Sequence, residues 1–247
     1  MAKIYLINVG ANTGHSRKAR SPIFSDDTWI YVSFPRTKKS EKGQPYSPET
    51  LPFVRVRPGI KTHLDPDWKG LTYGDCCKNR RARALLRVQP GDILLFWALL
   101  WKPTRDGACI FKSQDKRWYL IGALRVKHVL KSGDKATGRA RRNAHVWGGQ
   151  VEPRDGVRVF VGSRHHSRRF SKAVDWEVGR DRGLMHQVVR TKRGKQVQWD
   201  RVPRWYSVTR SCRAILDLDC RCDRKVARLL ARRIGKRNAA FDLIERV

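Results

Sequence analysis

The segment from Lys61 to Asp75 concentrates the residue types that could carry chemistry in this chain. It reads KTHLDPDWKGLTYGD and contains one histidine and three aspartates, which are His63, Asp65, Asp67 and Asp75. Alternate side chains of an extended backbone share a face, so His63, Asp65 and Asp67 are expected to point the same way. Imidazole and carboxylate groups in this arrangement could hold a divalent metal ion, with Asp75 as a fourth ligand.

Two other roles fit the same aspartates. One carboxylate could act as a general base on a nucleobase or a sugar. Alternatively, Asp-Pro and Gly-Asp are dipeptides that favour turns, in which the aspartate caps the backbone with its own side chain. The sequence leaves metal binding, acid–base catalysis and turn formation open for these residues, and it indicates no particular metal or cofactor.

The rest of the chain is strongly basic. Its 247 residues include 54 Lys and Arg against 22 Asp and Glu, which gives a formal net charge of +32. A high-GC coding sequence would enrich arginine over lysine, but it would not remove acidic residues. Because a polyanion relieves the self-repulsion of such a chain, we predict a nucleic-acid partner, with DNA favoured over RNA. The residues expected to contact the nucleic-acid backbone are Arg80, Arg81, Arg83, Arg139, Arg141, Arg142, Arg164, His165, His166, Arg168, Arg169, Arg228, Arg232 and Arg233.

Several protein classes are disfavoured by the sequence. The first residues, MAKIYLINVG, read as a strand rather than as a secretory signal, and DILLFWALLW is too short an apolar run to span a membrane. The six cysteines do not follow the spacing of a secreted disulfide scaffold. We therefore expect a cytoplasmic protein without a membrane partner. Phosphate-binding loops, dinucleotide fingerprints and zinc-protease motifs are also missing from the sequence.

Short strands and long basic loops are predicted to alternate along the chain. Helical spacing is found in KNRRARALLRV, in a short stretch from Ser167, and in DRKVARLLARRIGKR, where Asp223 is the expected N-cap. Residues 131–145 are expected to form an exposed basic loop. These patterns predict a single domain of the α+β class, mainly β, with peripheral helices. Strands are predicted in KIYLINVG, from Thr28 to Pro35, in ILLFWALLW, from Trp118 to Val129, in GVRVFVGS and in RAILDLD.

The central part of the chain resembles a known small β fold. The order RARALLRVQPGDILLFWALL, followed by WYLIGALRVKHVL, is similar to the core of the PUA-like superfamily, including its EVE and YTH branches. This resemblance implies a β-barrel that holds a nucleobase in an aromatic-lined pocket, for which Trp68, Tyr73 and Trp101 are the base-binding candidates. The implied organisation is one domain, 1–247, with a PUA-like core at about 1–35 and 70–220, an insertion at 36–69 and a basic C-terminal helix at 223–237.

A second resemblance extends over nearly the whole chain. SPIFSDDTWIYVSFP, HLDPDW, TYGD, PGDILLFWALL, YLIGALRV and VPRWY occur in the order seen in the nucleotide modification associated domain family, third type. The chain departs from that pattern in having SDD where PDG is usual, and in its extreme basicity. Members of the family are linked to prokaryotic and phage nucleic-acid modification systems. The resemblance therefore implies this setting, with other modification-system proteins as further partners.

These observations lead to three functional hypotheses. The favoured one is a nucleic-acid-binding protein of a DNA or RNA base-modification or defence system, which recognises a modified or unmodified base in an aromatic pocket. The second is an enzyme that acts on nucleic acid or nucleotides through His63, Asp65, Asp67 and Asp75. The third is a basic structural component of a ribonucleoprotein, which needs neither the pocket nor the aspartates.

Overall fold

The computed structural model describes most of the chain as strands and connecting segments. The described residues are 2–9, 18–36, 43–79, 82–104, 110–175, 188, 212–239 and 241–244. The strands are β1 (Lys3–Asn8), β2 (Ser21–Pro22), β3 (Thr72–Cys76), β4 (Ile93–Trp101), β5 (Lys116–Lys131), β6 (Val146–Trp147), β7 (Gln150–Val151), β8 (Val157–Gly162), β9 (Arg168–Asp175) and β10 (Cys212–Asp217). The helix α1 spans Arg221–Arg237, and short 3-10 helices span Leu51–Phe53, Arg83–Arg87, Ile110–Lys112 and Gly138–Arg142.

Eight of these strands form one mixed sheet. Its order is β10-β1-β4-β5-β8-β3, with β2 paired to β4 and β9 paired to β5. Strands β1 and β2 run parallel to β4, and the other pairs are antiparallel. The predicted α+β, mainly β class is therefore confirmed. The predicted barrel is not confirmed, because no sheet formed by the described strands closes on itself.

Strand β4 separates two hydrophobic cores. All nine of its residues are buried, as a continuous apolar run in a central strand predicts. Because side chains alternate along a strand, Leu95, Trp97 and Trp101 pack on one face, together with the apolar residues of α1. Leu94 and Phe96 pack on the other face. The site described below lies on the Phe96 side.

Strand β5 connects the two halves of the sheet. It is sixteen residues long, and its first part pairs with β4 and β9 while its last part pairs with β8. The register shifts opposite Phe96 and again after Val126. Such irregularities bend a strand, and here they let β5 pass from one set of partners to another. Strand β3, which follows the histidine and aspartate segment, is placed at the edge of the sheet by β8.

Three predicted elements differ in the structure. Thr28 to Pro35 is not a regular strand and makes only isolated bridges, at Trp29 and Pro35. The stretch after Ser167 is strand β9 instead of a helix, because its backbone pairs with β5 and buries Phe170. In the described part of KNRRARALLRV, the predicted helix is the short 3-10 helix Arg83–Arg87, in which Leu85 is the buried residue.

Helix α1 is amphipathic, as its spacing predicts. Val226, Leu230 and Ile234 are buried against the sheet, and basic residues cover the opposite face. The helix begins at Arg221, so Asp223 lies in its first turn rather than at the N-cap, and it accepts a hydrogen bond from the Asp217 amide at 2.9 Å. Within the described part of the chain, no helix combines the length and the apolar character needed to cross a bilayer.

We expect Gly122→Ala to destabilise the protein, because β5 passes too close to its neighbours at this residue. A Cβ atom on Gly122 would lie 2.6 Å from Cζ3 of Trp68 and 2.8 Å from the carbonyl oxygen of Arg168. Overpacking of this kind costs about 1–3 kcal/mol. The control is Gly235→Ala in α1, where nothing lies within 4 Å and the variant should gain about 0.5–1 kcal/mol. Urea unfolding of both variants measures the difference, and equal midpoints would contradict the packing described here.

Candidate functional site

The segment that carries His63 and Asp65 is held in place by the irregular residues 31–34. The amide of His63 donates to the carbonyl of Phe34 at 3.0 Å, and its imidazole stacks on the Phe34 ring at 4.9 Å between centroids. The hydroxyl of Tyr31 donates to the backbone carbonyl of Asp65 at 2.7 Å. The backbones of His63 and Asp65 are thus held by residues 31–34. Other contacts orient the Asp65 carboxylate.

The Asp65 carboxylate is buried in a set of polar donors. The amide of Gly74 on β3 donates to both of its oxygens, at 2.8 and 3.1 Å, and the side-chain amide of Asn143 lies 3.4 Å away. Burial raises the pKa of Asp65 to about 8, although His145 and the Gly74 amide both favour the charged form. Asp65 therefore occupies a place where a negative charge is costly unless a cation or a proton accompanies it.

Residues 138–145 supply the other half of the site. After the 3-10 helix Gly138–Arg142, the chain turns inward, and Asn143 is only 1% exposed. Its side-chain amide donates to the Thr72 hydroxyl at 3.1 Å, and its side-chain oxygen accepts from the His145 amide at 3.0 Å. The prediction of an exposed basic loop at 131–145 is therefore wrong for Asn143 and His145. Arginines dominate the composition of residues 139–145, RARRNAH, which is why this stretch resembles a solvated loop. Only Asn143 and His145 could have indicated a polar site there.

The imidazole of His145 lies between two carboxylates. Its Nε2 is 3.6 Å from Oδ2 of Asp65, and its Nδ1 is 3.4 Å from Oε2 of Glu152. Glu152 is itself buried and paired with Arg154, whose Nε lies 3.1 Å from Oε1. Burial opposes protonation of His145, but the hydrogen bond with Glu152 and the charge of Asp65 outweigh it and raise its pKa.

The ring of His63 meets the edge of the His145 ring at 5.2 Å between centroids. Burial, His145 and Arg36 together lower the pKa of His63 to about 3, so its imidazole is neutral near pH 7. A ring nitrogen of His63, a carboxylate oxygen of Asp65 and a ring nitrogen of His145 all lie within 4.8 Å of one another. We refer to these three residues as the His–Asp–His cluster. Its donor set suits either a metal ion or the transfer of a proton.

The structure does not bring Asp67 into this cluster. The backbones of Asp67 and Thr72 exchange two hydrogen bonds, of 2.9 and 3.1 Å, so the chain turns back after Asp67 and the alternation of an extended segment ends there. One oxygen of the Asp67 carboxylate accepts from the Lys69 amide at 3.1 Å, and the other lies 3.5 Å from Nε of Arg142. These contacts are those of a turn-capping aspartate. Asp75 is also engaged elsewhere, since its carboxylate accepts from the Tyr73 hydroxyl at 2.9 Å.

The three candidate base-binding rings lie on two sides of the sheet, and two of them, Trp68 and Tyr73, pack against Phe96. Trp68 is half-buried and packs edge-on against Tyr31 and Phe96. Tyr73 is 4% exposed and belongs to the same core. Trp101 is 2% exposed and belongs to the core on the other face of β4. Of these rings, Trp68 and Tyr73 share a side of the sheet with the His–Asp–His cluster, and Trp101 does not.

The predicted phosphate contacts fall into separate groups. Arg141 and Arg142 are exposed beside the cluster, while Arg139 is half-buried and its guanidinium donates to the Gly162 carbonyl. The loop between β8 and β9 exposes three further residues, Arg164, His165 and His166. Arg139 and Arg164 are close enough for their charges to interact. This side of the molecule therefore combines exposed cationic groups with the His–Asp–His cluster.

The remaining predicted contacts lie elsewhere. Arg228 and Arg232 are exposed on α1, where they line a groove of about 840 Å³, and α1 packs on the face of the sheet away from Trp68. Arg233 is half-buried on the same helix, and Arg83 is exposed. Arg169 lies over the Trp29 ring at 4.4 Å, and Arg168 is 5.8 Å from the ring of Phe241. Arg80, Arg81 and the VPRWY motif lie outside the described residues.

The comparisons with known proteins give one match. The sequence model of the family described as "Nucleotide modification associated domain 3" matches residues 3–218. No curated protein and no solved structure matches the chain. The matched range includes the segment of His63 and Asp65, residues 138–145 and Glu152.

We expect Asn143→Ala to destabilise the protein through the site. The substitution removes the donor to the Thr72 hydroxyl and the acceptor of the His145 amide, both in a buried place. Leaving such groups without partners costs about 1–3 kcal/mol. The same change at the exposed Asn79 should stay within about 0.5 kcal/mol of wild type. Chemical denaturation compares the two, and a neutral Asn143→Ala would show that Asn143 does not hold the site together.

Proposed function

Since the chain belongs to the nucleotide modification associated domain 3 family, we propose that it is an enzyme of a nucleic-acid base-modification system. It binds nucleic acid and acts on a base or nucleotide at the His–Asp–His cluster. The second of the sequence hypotheses is thus preferred, with a different set of residues: His145 joins His63 and Asp65, and Asp67 and Asp75 do not take part.

The observation that carries this proposal is the buried array that runs from Glu152 through His145 to Asp65. Its distances are 3.4 and 3.6 Å, and both carboxylates are less than a tenth exposed. Burying ionisable groups costs stability unless they are paired, and folded domains rarely collect several of them without a functional reason. The Asp65 carboxylate accepts the Gly74 amide, but a neutral asparagine also offers an acceptor for that hydrogen bond. The array is therefore better explained by chemistry than by folding.

The setting of the array supports a nucleic-acid substrate. Residues 138–145 carry Arg139, Arg141 and Arg142 immediately before the buried Asn143 and His145. Arginine is suited to phosphate groups because its guanidinium donates in a planar fork. A polynucleotide held by these side chains would pass beside the His–Asp–His cluster. Half-buried Trp68, on the same side of the sheet, is the ring best suited to contact a base there.

Recognition of a modified base without chemistry is the second candidate. Trp68 favours it, because its ring is half-buried and its buried indole Nε1 has no hydrogen-bond partner among the described residues. The exposed part of such a ring can stack on a base. In that case the His–Asp–His cluster would brace the segment that carries Trp68 rather than act on a substrate.

Asp65→Asn separates the two candidates. Asparagine keeps an acceptor for the Gly74 amide, so the variant should fold, but it removes the carboxylate. Cells that lack the gene are given back the wild type, Asp65→Asn, or Asp155→Asn as a matched control whose side chain is 79% exposed. Mass spectrometry of nucleosides from their DNA and RNA should show a nucleoside change with the wild type and the control, and none with Asp65→Asn.

Two outcomes would count against the enzyme. A nucleoside change that persists in Asp65→Asn would show that the cluster does not act on the base. If no version alters any nucleoside while the purified wild type prefers an oligonucleotide with one modified base, the protein is a reader. Binding governed by salt alone, with no preference for any base, would favour the basic structural component.

We expect the basic surface beside the cluster to determine how binding depends on salt. Arg141→Gln/Arg164→Gln removes two exposed charges there, and it should lower the slope of log affinity against log salt concentration by about two. Arg57→Gln/Lys112→Gln removes the same charge from exposed positions outside the predicted contacts and should leave the slope unchanged. Fluorescence anisotropy with a labelled oligonucleotide over a salt series measures both. Equal slopes in the two double variants would place the nucleic acid elsewhere.

A further inference from the structure

We propose that the His–Asp–His cluster is a binding site for one divalent first-row transition metal ion. The ligands are a ring nitrogen of His63, the carboxylate of Asp65 and Nε2 of His145. This inference rests on the proposed function in that it names the group through which the same cluster would act. It differs from the metal site considered from the sequence, which lacked His145 and included Asp67 and Asp75.

The spacing of the donor atoms suits a single ion. The three ligand atoms lie within 4.8 Å of one another, and Nε2 of His145 is 3.6 Å from Oδ2 of Asp65. Ligands at about 2.0–2.2 Å from a metal ion are separated from one another by about 3–3.5 Å. A small inward movement of the side chains would therefore complete the coordination.

Two of the ligands, Asp65 and His145, are each oriented by a further hydrogen-bond partner, as metal ligands in proteins usually are. Glu152 approaches Nδ1 of His145 at 3.4 Å, which places the proton of a neutral imidazole on Nδ1 and leaves the lone pair of Nε2 directed at Asp65. Arg154 holds Glu152 in turn, at 3.1 Å. Asp65 is held by the Gly74 amide at 2.8 Å. The Glu152 carboxylate, the His145 imidazole and the proposed metal position thus follow one another in that order.

The third ligand is oriented by packing. The ring of His63 is stacked on Phe34 and meets His145 edge-on. The backbone amide of His63 is also bound, to the Phe34 carbonyl at 3.0 Å. Charges around the cluster act in both directions: Arg36 disfavours a cation near His63, while Asp75 and Glu152 favour one near His145. Asp65 is a third acidic group, and these three carboxylates stand against Arg36 and the Arg154 that pairs with Glu152.

The donor types select the class of ion. Imidazole nitrogen suits zinc, iron, cobalt and nickel, whereas magnesium and calcium prefer sites made of oxygen alone. Three protein ligands also leave at least one coordination position open, which is the arrangement of a catalytic rather than a structural metal site. In the proposed enzyme, that position would be available to water or to the substrate.

The experiment uses cobalt(II) as the probe, because its visible absorption reports on the ligands. Full-length protein is dialysed against a chelator, the chelator is removed, and cobalt(II) is added while absorption and calorimetry are followed. We expect one ion per chain for the wild type, which zinc(II) displaces. Asp65→Asn and His145→Gln should lose at least 100-fold in affinity. Glu152→Gln should lose about 10–100-fold and keep an absorption spectrum of the wild-type kind.

The matched control is His165→Gln/His166→Gln, which removes two exposed histidines outside the cluster. It should bind cobalt(II) as the wild type does, and thermal unfolding confirms that every variant is folded. The proposal is overturned if the wild type binds no ion, or if folded Asp65→Asn and His145→Gln bind it with unchanged affinity. Loss of binding in the control instead of the cluster variants would also overturn it, since the ion would then sit on the surface pair.

The outcome is separable from that of the proposed function. Nucleoside conversion by chelator-treated protein, in the continued presence of the chelator, would overturn the metal site and leave the enzyme standing. One bound ion per chain, lost in the cluster variants, together with no nucleoside change in cells would support the metal site and overturn the enzyme.

Discussion

The burial of β4 on both faces is the constraint on which the rest of the structure depends. A strand whose nine residues are all excluded from water needs a hydrophobic layer on each side, and in the described part of the chain different segments supply the two layers. Helix α1 covers one face, and the segments that carry Trp29, Trp68 and Leu85 cover the other. The two faces are consequently covered in different ways. One is closed by a regular amphipathic helix, and the other by irregular segments that can carry polar groups.

The irregular side is where buried polarity is tolerated. Side chains bind its backbone at several points, as the Tyr31 hydroxyl binds the Asp65 carbonyl and the Asn143 side chain binds the His145 amide. Such contacts can position a single polar group at a place that the regular repeat of a helix or strand would not allow. The Asp65 carboxylate depends on them, because it lies away from water and needs its donors in position. His63, Asp65 and His145 therefore all lie in loops, and the sheet supports these loops rigidly.

The elements that follow from local pattern were predictable, and those that follow from distant contacts were not. The continuous run in β4 and the spacing of α1 each identify their element, because burial imposes a period on the sequence. His63 and Asp65 are conspicuous as polar residues with short spacing in a basic chain. Their partner His145 lies about eighty residues further on, in a stretch whose composition is that of a solvated loop. No periodic pattern in the sequence indicates that the backbone turns inward after Arg142.

Misjudged elements have the same origin. The stretch from Ser167 has enough charged residues to resemble a surface helix, but an open edge of β5 is available to it and strand pairing prevails. Asp67 follows the spacing of His63 and Asp65 in sequence, yet the turn that returns the chain to Thr72 begins there and redirects its carboxylate. In both cases the deciding partner is remote in sequence or depends on where the chain reverses.

The short segment 138–145 has a mechanical consequence. Arg141 and Arg142 are exposed, and within four residues of Arg141 the same backbone carries Asn143 and His145 into the interior. A ligand that displaced this backbone at the arginines would therefore also displace the imidazole. Such coupling would be reciprocal, since a ligand at the surface and a ligand in the interior would each alter the affinity of the other by the same factor.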